Sequence, residues 1–342
     1  MPSTDTQSGQ VVTILKRSLG ALMALIGGLL IVGIGVFVLG LLTVSQNPNV
    51  GLSESAFESL FVRPLETALI LIIDSLLLSP QGMRMDDLYI RPRLRPIADG
   101  ALTGKVALLT GASRGIGAVT SRVLARAGAR VILNYRSKGS RAEKVAMEIE
   151  AAGGKASSIQ ADITVSEEVT AMMEQIRGEF GFFNFLILNA SGGLEKDKGD
   201  DYSMQLNCVA QLNLLRKSVP LLQTHGRVVF VTSHLAHFYG EKPVYPGYEP
   251  VAIGKQAGEK ALRATIPGLG ANQIALIIVS GDMIEGTITP KLLNRANRGL
   301  IEFRREQAGR LPTVEEFGRA IAEATADSRL QSGETVFVGG TD

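Results

Sequence analysis

The sequence predicts an α/β protein: a doubly wound parallel sheet with helices on both faces, preceded by a transmembrane helix and a second short apolar segment. Three observations lead there. Residues 103–342 alternate short apolar runs with helical patterns, as strands joined by crossover helices do. The first of those runs, "KVALLT", passes directly into the glycine-rich "GASRGIG" and then the helical "AVTSRVLARAGA". Residues 18–44 carry no charge at all, which is enough apolar chain to cross a bilayer even when tilted.

The apolar segments come first in the chain. Residues 18–44 lack the short apolar core and small-residue cleavage site of a signal peptide, so they read as a retained anchor. Lys16 and Arg17 precede the run and the next basic residue after it is Arg63, which places residues 1–17 in the cytoplasm. A second run, 64–80, is shorter and contains Glu66 and Asp74; it either returns the chain as half of a hairpin or lies in the interface. Arg84, Arg91, Arg93 and Arg95 follow, favouring the cytoplasmic side for everything downstream. Residues 81–102 read as a linker. Their prolines bar a continuous helix, and their arginines suit anionic head groups.

Totals exclude several classes. A net charge of +2 over 342 residues gives no basic face for nucleic acid. The single cysteine, Cys208, rules out an internal disulfide framework and reads as a small buried hydrophobe. His225, His234 and His237 lie close in sequence, but no paired carboxylates complete a metal site.

The strand, turn and helix start at 105–126 suit phosphate. Gly111, Gly115 and Gly117 let backbone approach a pyrophosphate, and the helix N-terminus offers free N–H groups and a positive dipole end. "TGASRGIG" resembles the cofactor loop of the short-chain dehydrogenase/reductase family, and the similarity continues through 103–342. "ADITVSEE" resembles the adenine-contacting segment with Asp162, "LILNASGG" stands where the family has Asn-Asn-Ala-Gly and keeps Asn189, and "MQLNCVAQLN" resembles the helix with the active-site asparagine, here Asn207. "GRVVFVTSHLA" resembles the strand ending in the catalytic serine, Ser233. The resemblance implies a Rossmann-type fold and a dinucleotide held by Thr110, Gly111, Ser113, Arg114, Gly115, Ile116, Gly117, Asn134, Arg136, Asp162, Asn189 and Lys255. It also implies a dimer or tetramer by analogy. Charge selects the dinucleotide. NAD-specific sites place an acid at the end of the second strand, whereas this chain has Asn134, Tyr135 and Arg136 there and Arg114 in the loop, which predicts NADP(H) over NAD(H).

The catalytic helix departs from the usual pattern. The family's Tyr-x-x-x-Lys would put tyrosine four before Lys255, but Val251 stands there and Tyr248 lies seven before. Seven residues make nearly two helical turns, so 248 and 255 share a direction around the axis. Pro250 suits the first helical turn, with Tyr248 in the incoming loop. The spacing resembles that of the enoyl-acyl-carrier-protein reductases, a divergent branch of the family, although the cofactor loop is the ordinary carbonyl-reductase form. By resemblance, Tyr248 donates a proton, Lys255 supplies a cation and holds the nicotinamide ribose, Ser233 binds the substrate oxygen and Asn207 holds a water. Three readings stay open: a carbonyl reductase, an enoyl reductase stabilising an enolate at Tyr248, and a nucleotide-binding membrane module without turnover. Tyr239 and Tyr245 are lesser candidates for the donor.

Downstream, "IIVSGDMIEGT" puts Ser280 where the family has proline and adds Asp282 near the expected nicotinamide amide. Residues 284–310 read as a substrate-covering segment whose Lys291, Arg295, Arg298, Arg304, Arg305 and Arg310 outnumber Glu302 and Glu306. They form either a solvated face or a landing site for a phosphopantetheine carrier, coenzyme A or lipid head groups. The expectation is a membrane-anchored, cytoplasm-facing NADP(H)-dependent reductase of a hydrophobic acyl or lipid-like carbonyl compound.

Overall fold

A computed structural model describes residues 90–195, 198–199 and 201–341. The chain divides into two compact units, Met1–Met83 and Arg84–Asp342, and the described residues all belong to the second. The expected anchor at 18–44 and the apolar segment at 64–80 lie outside the described residues. Among the described residues no helix is long and apolar enough to cross a membrane.

The strands are β1 (Ile90–Arg91), β2 (Val106–Thr110), β3 (Arg130–Tyr135), β4 (Lys155–Gln160), β5 (Phe183–Leu188), β6 (Leu222–Ser233), β7 (Ala275–Gly281) and β8 (Thr335–Val338). They form one sheet in the order β1-β8-β7-β6-β5-β2-β3-β4, and all neighbours are parallel except β1 on β8. Both faces are covered, so the strands read as unbroken apolar runs: all six residues of β5, "FNFLIL", are buried. Leu109, Val131, Ile187, Val229 and Ile277 face one core, and their neighbours Leu108, Ile132, Leu186, Val228 and Ile278 face the other.

Helices α1 (Gly115–Arg126) and α2 (Gly139–Ala151) follow β2 and β3, and α3 (Ser166–Phe180) follows β4. The next helix, α4, starts at Tyr202–Met204, passes a π-helical turn at Gln205–Val209 and continues through Ala210–Ser218. After β6 come the short α5 (His234–His237), then α6 (Glu249–Arg263) and α7 (Ile266–Ala271). Helices α8 (Ile288–Ala296), α9 (Leu300–Ala308) and α10 (Val314–Ala326) lie between β7 and β8. Thr313 and Glu316 close a capping box at the start of α10, fixing where the covering segment ends and the core resumes.

The domain begins earlier than residue 103. The expected linker is instead built into it: β1 pairs with β8, Leu94 and Ile97 pack on the core, and the Leu102 amide donates to the Ala127 carbonyl at 2.7 Å. Prolines 92 and 96 exclude a helix but not a short edge strand, which is what the chain forms. Strand order reverses between β2 and β5, and the crevice at the carboxyl ends there is where the functional side chains gather.

Candidate active site

Three carboxyl ends of strands build the floor. At the first, β2 runs into the glycine loop. A Cβ on Gly117 would sit 2.4 Å from the Gly111 carbonyl oxygen, so only glycine lets α1 start this close to the strand. Gly115, at φ +53°, has no protein atom within 4 Å of where a Cβ would lie, which leaves its outer side open. Arg114 caps α1 in extended conformation, and its own side chain makes no hydrogen bond to the amides of the first turn. An open glycine face above uncapped amides fits a dinucleotide's pyrophosphate.

Other expected cofactor residues shape this loop from behind. The Thr110 hydroxyl accepts the amides of Asn189 and Ala190 at 3.0 Å each, and the Asn189 side chain donates to the Thr110 carbonyl at 2.9 Å. Asp162 accepts from the Thr164 amide and hydroxyl, closing the turn after β4. Asn134 departs from expectation. It is 2% exposed and donates to the Ala161 carbonyl at 3.1 Å, clamping β3 to the chain beyond β4 instead of facing a ligand. Arg136 is exposed and hydrogen-bonded to the Tyr202 hydroxyl, a contact that engages one of its five donors. Ser113, Arg114 and Gly115 line one open hollow with Arg141 and Lys144, and Arg114 and Ile116 also reach the main cavity.

The second end, β6, carries Ser233. Its side chain caps α5 by accepting the Ala236 amide, and its Oγ lies 3.0 Å from the Tyr248 Oη. Tyr248 is the residue before α6, with Pro250 in the first turn, and it is 5% exposed. Lys255, two turns along the same helix, is 8% exposed and its Nζ donates to the Val231 carbonyl at 3.3 Å. Ser233, Tyr248 and Lys255 therefore share one cavity, with Val251 in its wall. Burial raises the Tyr248 hydroxyl above the usual tyrosine range, opposed by the Ser233 hydrogen bond. Burial lowers Lys255 from 10.5 to about 8. Burial thus disfavours the charged form of both groups, holding Tyr248 as the neutral phenol and bringing Lys255 closer to neutrality.

Asn207 sits in the π-helical turn of α4. Its amide donates to the Gly192 carbonyl at 2.8 Å and the Ser203 hydroxyl at 3.0 Å, while its Oδ1 is buried without a donor among the described residues. Tyr239 and Tyr245, the lesser candidates, do not meet Ser233: the Tyr239 hydroxyl donates to Glu249, and Tyr245 lies half-buried in the cavity wall.

Several supporting residues escaped the sequence. A Cβ on Gly258 would lie 2.1 Å from the Asn207 carbonyl oxygen, and one on Gly254 would lie 2.8 Å from that of Ser203, so these glycines set α6 against α4. Their spacing, Gly254-x-x-x-Gly258, was a readable signal. The Ser203 hydroxyl then donates to the Pro250 carbonyl, tying α4 to the start of α6. At the third end, β7, Ser280 replaces the expected proline and its Oγ meets His234 Nδ1 at 2.8 Å. Burial lowers His234 to about 3, so the ring stays neutral and this bond persists at ordinary pH.

Asp282 is no free acid near the nicotinamide site. Arg304 of α9 grips it with two hydrogen bonds of 2.9 Å, both side chains are buried, and the same guanidinium reaches the Gly340 carbonyl. Arg305 pairs with Glu285 and Arg310 with Glu316. Half of the six cations expected to form a solvated face or landing site are thus engaged inside the domain. No cluster of three metal-binding side chains occurs among the described residues. The cavity holds about 890 Å³ and its lining is mainly apolar, with Leu194, Leu235, Val251, Met283, Ile284 and Leu293 around the tyrosine.

Residues 105–289 match the family described as short chain dehydrogenase. Among curated proteins the chain is similar to 1-cyclohexenylcarbonyl-CoA reductase of Streptomyces collinus, 30% identical over 247 residues, covering 69% of this chain and 86% of that protein. Among solved structures it is similar to the landomycin C-6 ketoreductase LanV with bound NADP and rabelomycin (27% identity, TM-score 0.59), covering 71% of this chain and 98% of that one. It is also similar to a short-chain dehydrogenase of Burkholderia cenocepacia in complex with NADP (27% identity, TM-score 0.61), covering 70% of this chain and 99% of that one.

Proposed function

The chain belongs to the short-chain dehydrogenase family, and from that premise we propose that it reduces the carbonyl of a bulky hydrophobic compound, acyl or lipid-like, with Tyr248 as proton donor. It is an oxidoreductase acting on a carbonyl or CH–OH group, and its cofactor is NADP(H). The Ser233–Tyr248 hydrogen bond of 3.0 Å carries the reading, because it puts the re-spaced tyrosine beside the serine that would hold the substrate oxygen.

When bound, NADPH would supply the hydride that the carbonyl carbon takes up. The glycine loop would hold its pyrophosphate, and Arg114 and Arg136 its 2′-phosphate. Ser233 orients the carbonyl oxygen by hydrogen bond, and Tyr248 gives that oxygen its proton as negative charge develops there. Lys255, protonated below about pH 8, stabilises the phenolate that this leaves. Asn207 Oδ1, buried and without a donor among the described residues, would accept from a water on the path by which a solvent proton replaces the one that Lys255 passes back to the Tyr248 phenolate. The apolar cavity excludes bulk water and selects the substrate by shape.

Enoyl reduction is the second reading, favoured by the seven-residue interval from Tyr248 to Lys255 and by a relative named for a cyclohexenylcarbonyl-CoA. NADPH oxidation measured against a panel of hydrophobic ketones and a panel of trans-2-enoyl thioesters separates the two. Turnover of ketones alone is expected; turnover confined to the enoyl panel would reverse the assignment. We also propose residues 18–44 as a membrane anchor with the catalytic domain on the cytoplasmic side. Uncharged composition and Lys16 and Arg17 ahead of the run support this. Alkaline extraction that releases the full chain from membranes would refute it.

A further inference from the structure

The segment covering the cavity presents a surface that the reduction does not use. Helix α8 turns Ile288, Lys291 and Arg295 to one side at helical spacing, and Arg298 follows in the turn beyond. Ile288 is 49% exposed, Phe303 on α9 is 54% exposed, and both also line the cavity, so they form its rim. Lys291, Arg295 and Arg298 have no ion-pair partner among the described residues, unlike Arg304, Arg305 and Arg310. The exposed acids of the segment lie on α9 beside Phe303, Glu302 directly before it and near Arg305, and Glu306 one turn after it.

The first described residue lies at the same end of the sheet. Ile90 pairs with Val338, the Val338 carbonyl accepts the Asp282 amide, and Asp282 grips Arg304 of α9. At residues 93 and 95 the backbone leads away from that end. The Arg93 carbonyl accepts from Arg329, and the Arg95 amide donates to Asp327, beyond the far end of α10. On the covering segment Arg295 lines the cavity, and Lys291 and Arg298 stand exposed within four residues of it in sequence.

We propose that the outer face of α8 and the Phe303 rim rest on an anionic lipid surface, so that the cavity opens toward the bilayer and takes its carbonyl compound from it. Three basic side chains beside two exposed apolar ones have the composition of an interfacial surface: the cations meet lipid phosphates and the apolar pair enters the headgroup boundary. Charge alone would suit a soluble acidic carrier equally well; the exposed Ile288 and Phe303 favour the lipid surface. The uncharged residues 18–44 of the same chain add a second route to the same surface. The inference rests on the proposed apolar substrate.

The chain has no tryptophan, which makes the test direct. Phe303→Trp places a single fluorophore on the rim. Phe182→Trp, at a position 41% exposed just before β5, places one at the opposite end of the sheet. Full-length protein is reconstituted in vesicles of phosphatidylcholine and phosphatidylglycerol containing brominated lipid. Quenching of Phe303→Trp about threefold stronger than that of Phe182→Trp is expected. Adding Lys291→Glu and Arg298→Glu should reduce it by about half or more on the anionic vesicles. Ile288→Trp repeats the measurement from α8. Equal quenching at both ends, or none at 288 and 303, overturns the proposal. So does a rim emission moved by an acyl carrier protein and not by lipid. NADPH oxidation with the ketone panel in the same vesicles tests the reductase reading separately, since the probe reports lipid contact whether or not turnover occurs.

Discussion

The two halves of the site are held together in different ways. Around the cofactor loop the bonds are short-range in space and mostly main-chain: Thr110 accepts the amides of 189 and 190, Asn189 donates to carbonyls of the loop, and Gly117 sits against Gly111. Around the substrate cavity the fastenings are side-chain pairs between segments far apart in sequence, His234 with Ser280 and Asp282 with Arg304, and behind it His237 with Glu259. A ligand of fixed shape is met by backbone, which tolerates few sequences. A substrate of particular shape is met by side chains, which can be exchanged in pairs.

Breaking the substrate half should have the larger consequences. Lys255→Met is expected to lower kcat by at least about 100-fold, because the tyrosinate then has no cation. The same change should stabilise the fold. Lys255 is lowered from 10.5 to about 8, so the unfolded chain binds its proton more tightly; the cost is present in full below about pH 8 and fades as pH rises toward 10.5. At neutral pH the variant should gain up to roughly 3 kcal/mol in a urea titration, and the gain should vanish near the upper limit. Arg304→Met leaves the Asp282 carboxylate buried beside an apolar partner and should cost roughly 3 kcal/mol. The double variant Asp282→Asn with Arg304→Met should recover most of that loss, which a thermal melt would reveal.

These effects explain what the sequence could tell. The cofactor half was legible because its signal is local: a strand, three glycines and a helix start within one short stretch. The position of Tyr248 beside Ser233 was legible once two helical turns replaced the usual one. The pairing of Asp282 with Arg304 was not, because the partners are 22 residues apart and meet only after α8 and α9 fold over the cavity. Asn134 was misplaced for a related reason. Its position at the end of β3 is read from sequence, but its side-chain direction depends on Ala161 beyond β4. The first domain residues were missed because two prolines mark a break in helix and say nothing about an edge strand.

Smaller changes should sharpen the contrast from the cofactor side. Arg114→Ala and Arg136→Ala are each expected to raise KM for NADPH about tenfold and leave KM for NADH unmoved, as the proposed role of both in holding the 2′-phosphate requires. Initial rates with both cofactors decide it. The mildest effect is on pH. Reduction should hold steady below about pH 8 and decline above it as Lys255 loses its proton, while Tyr248, raised by burial, remains a donor. A kcat/KM profile that instead climbs through that range would contradict the role given to Lys255.

The central claim is that a tyrosine seven residues before the lysine does the work usually given to one four before it. Turnover and NADPH binding measured side by side for Tyr248→Phe and Tyr245→Phe test it most directly. Tyr248→Phe should bind NADPH as the unaltered chain does and lose about 100-fold or more in kcat, with Tyr245→Phe changing KM and not kcat. Undiminished turnover in Tyr248→Phe would contradict the account.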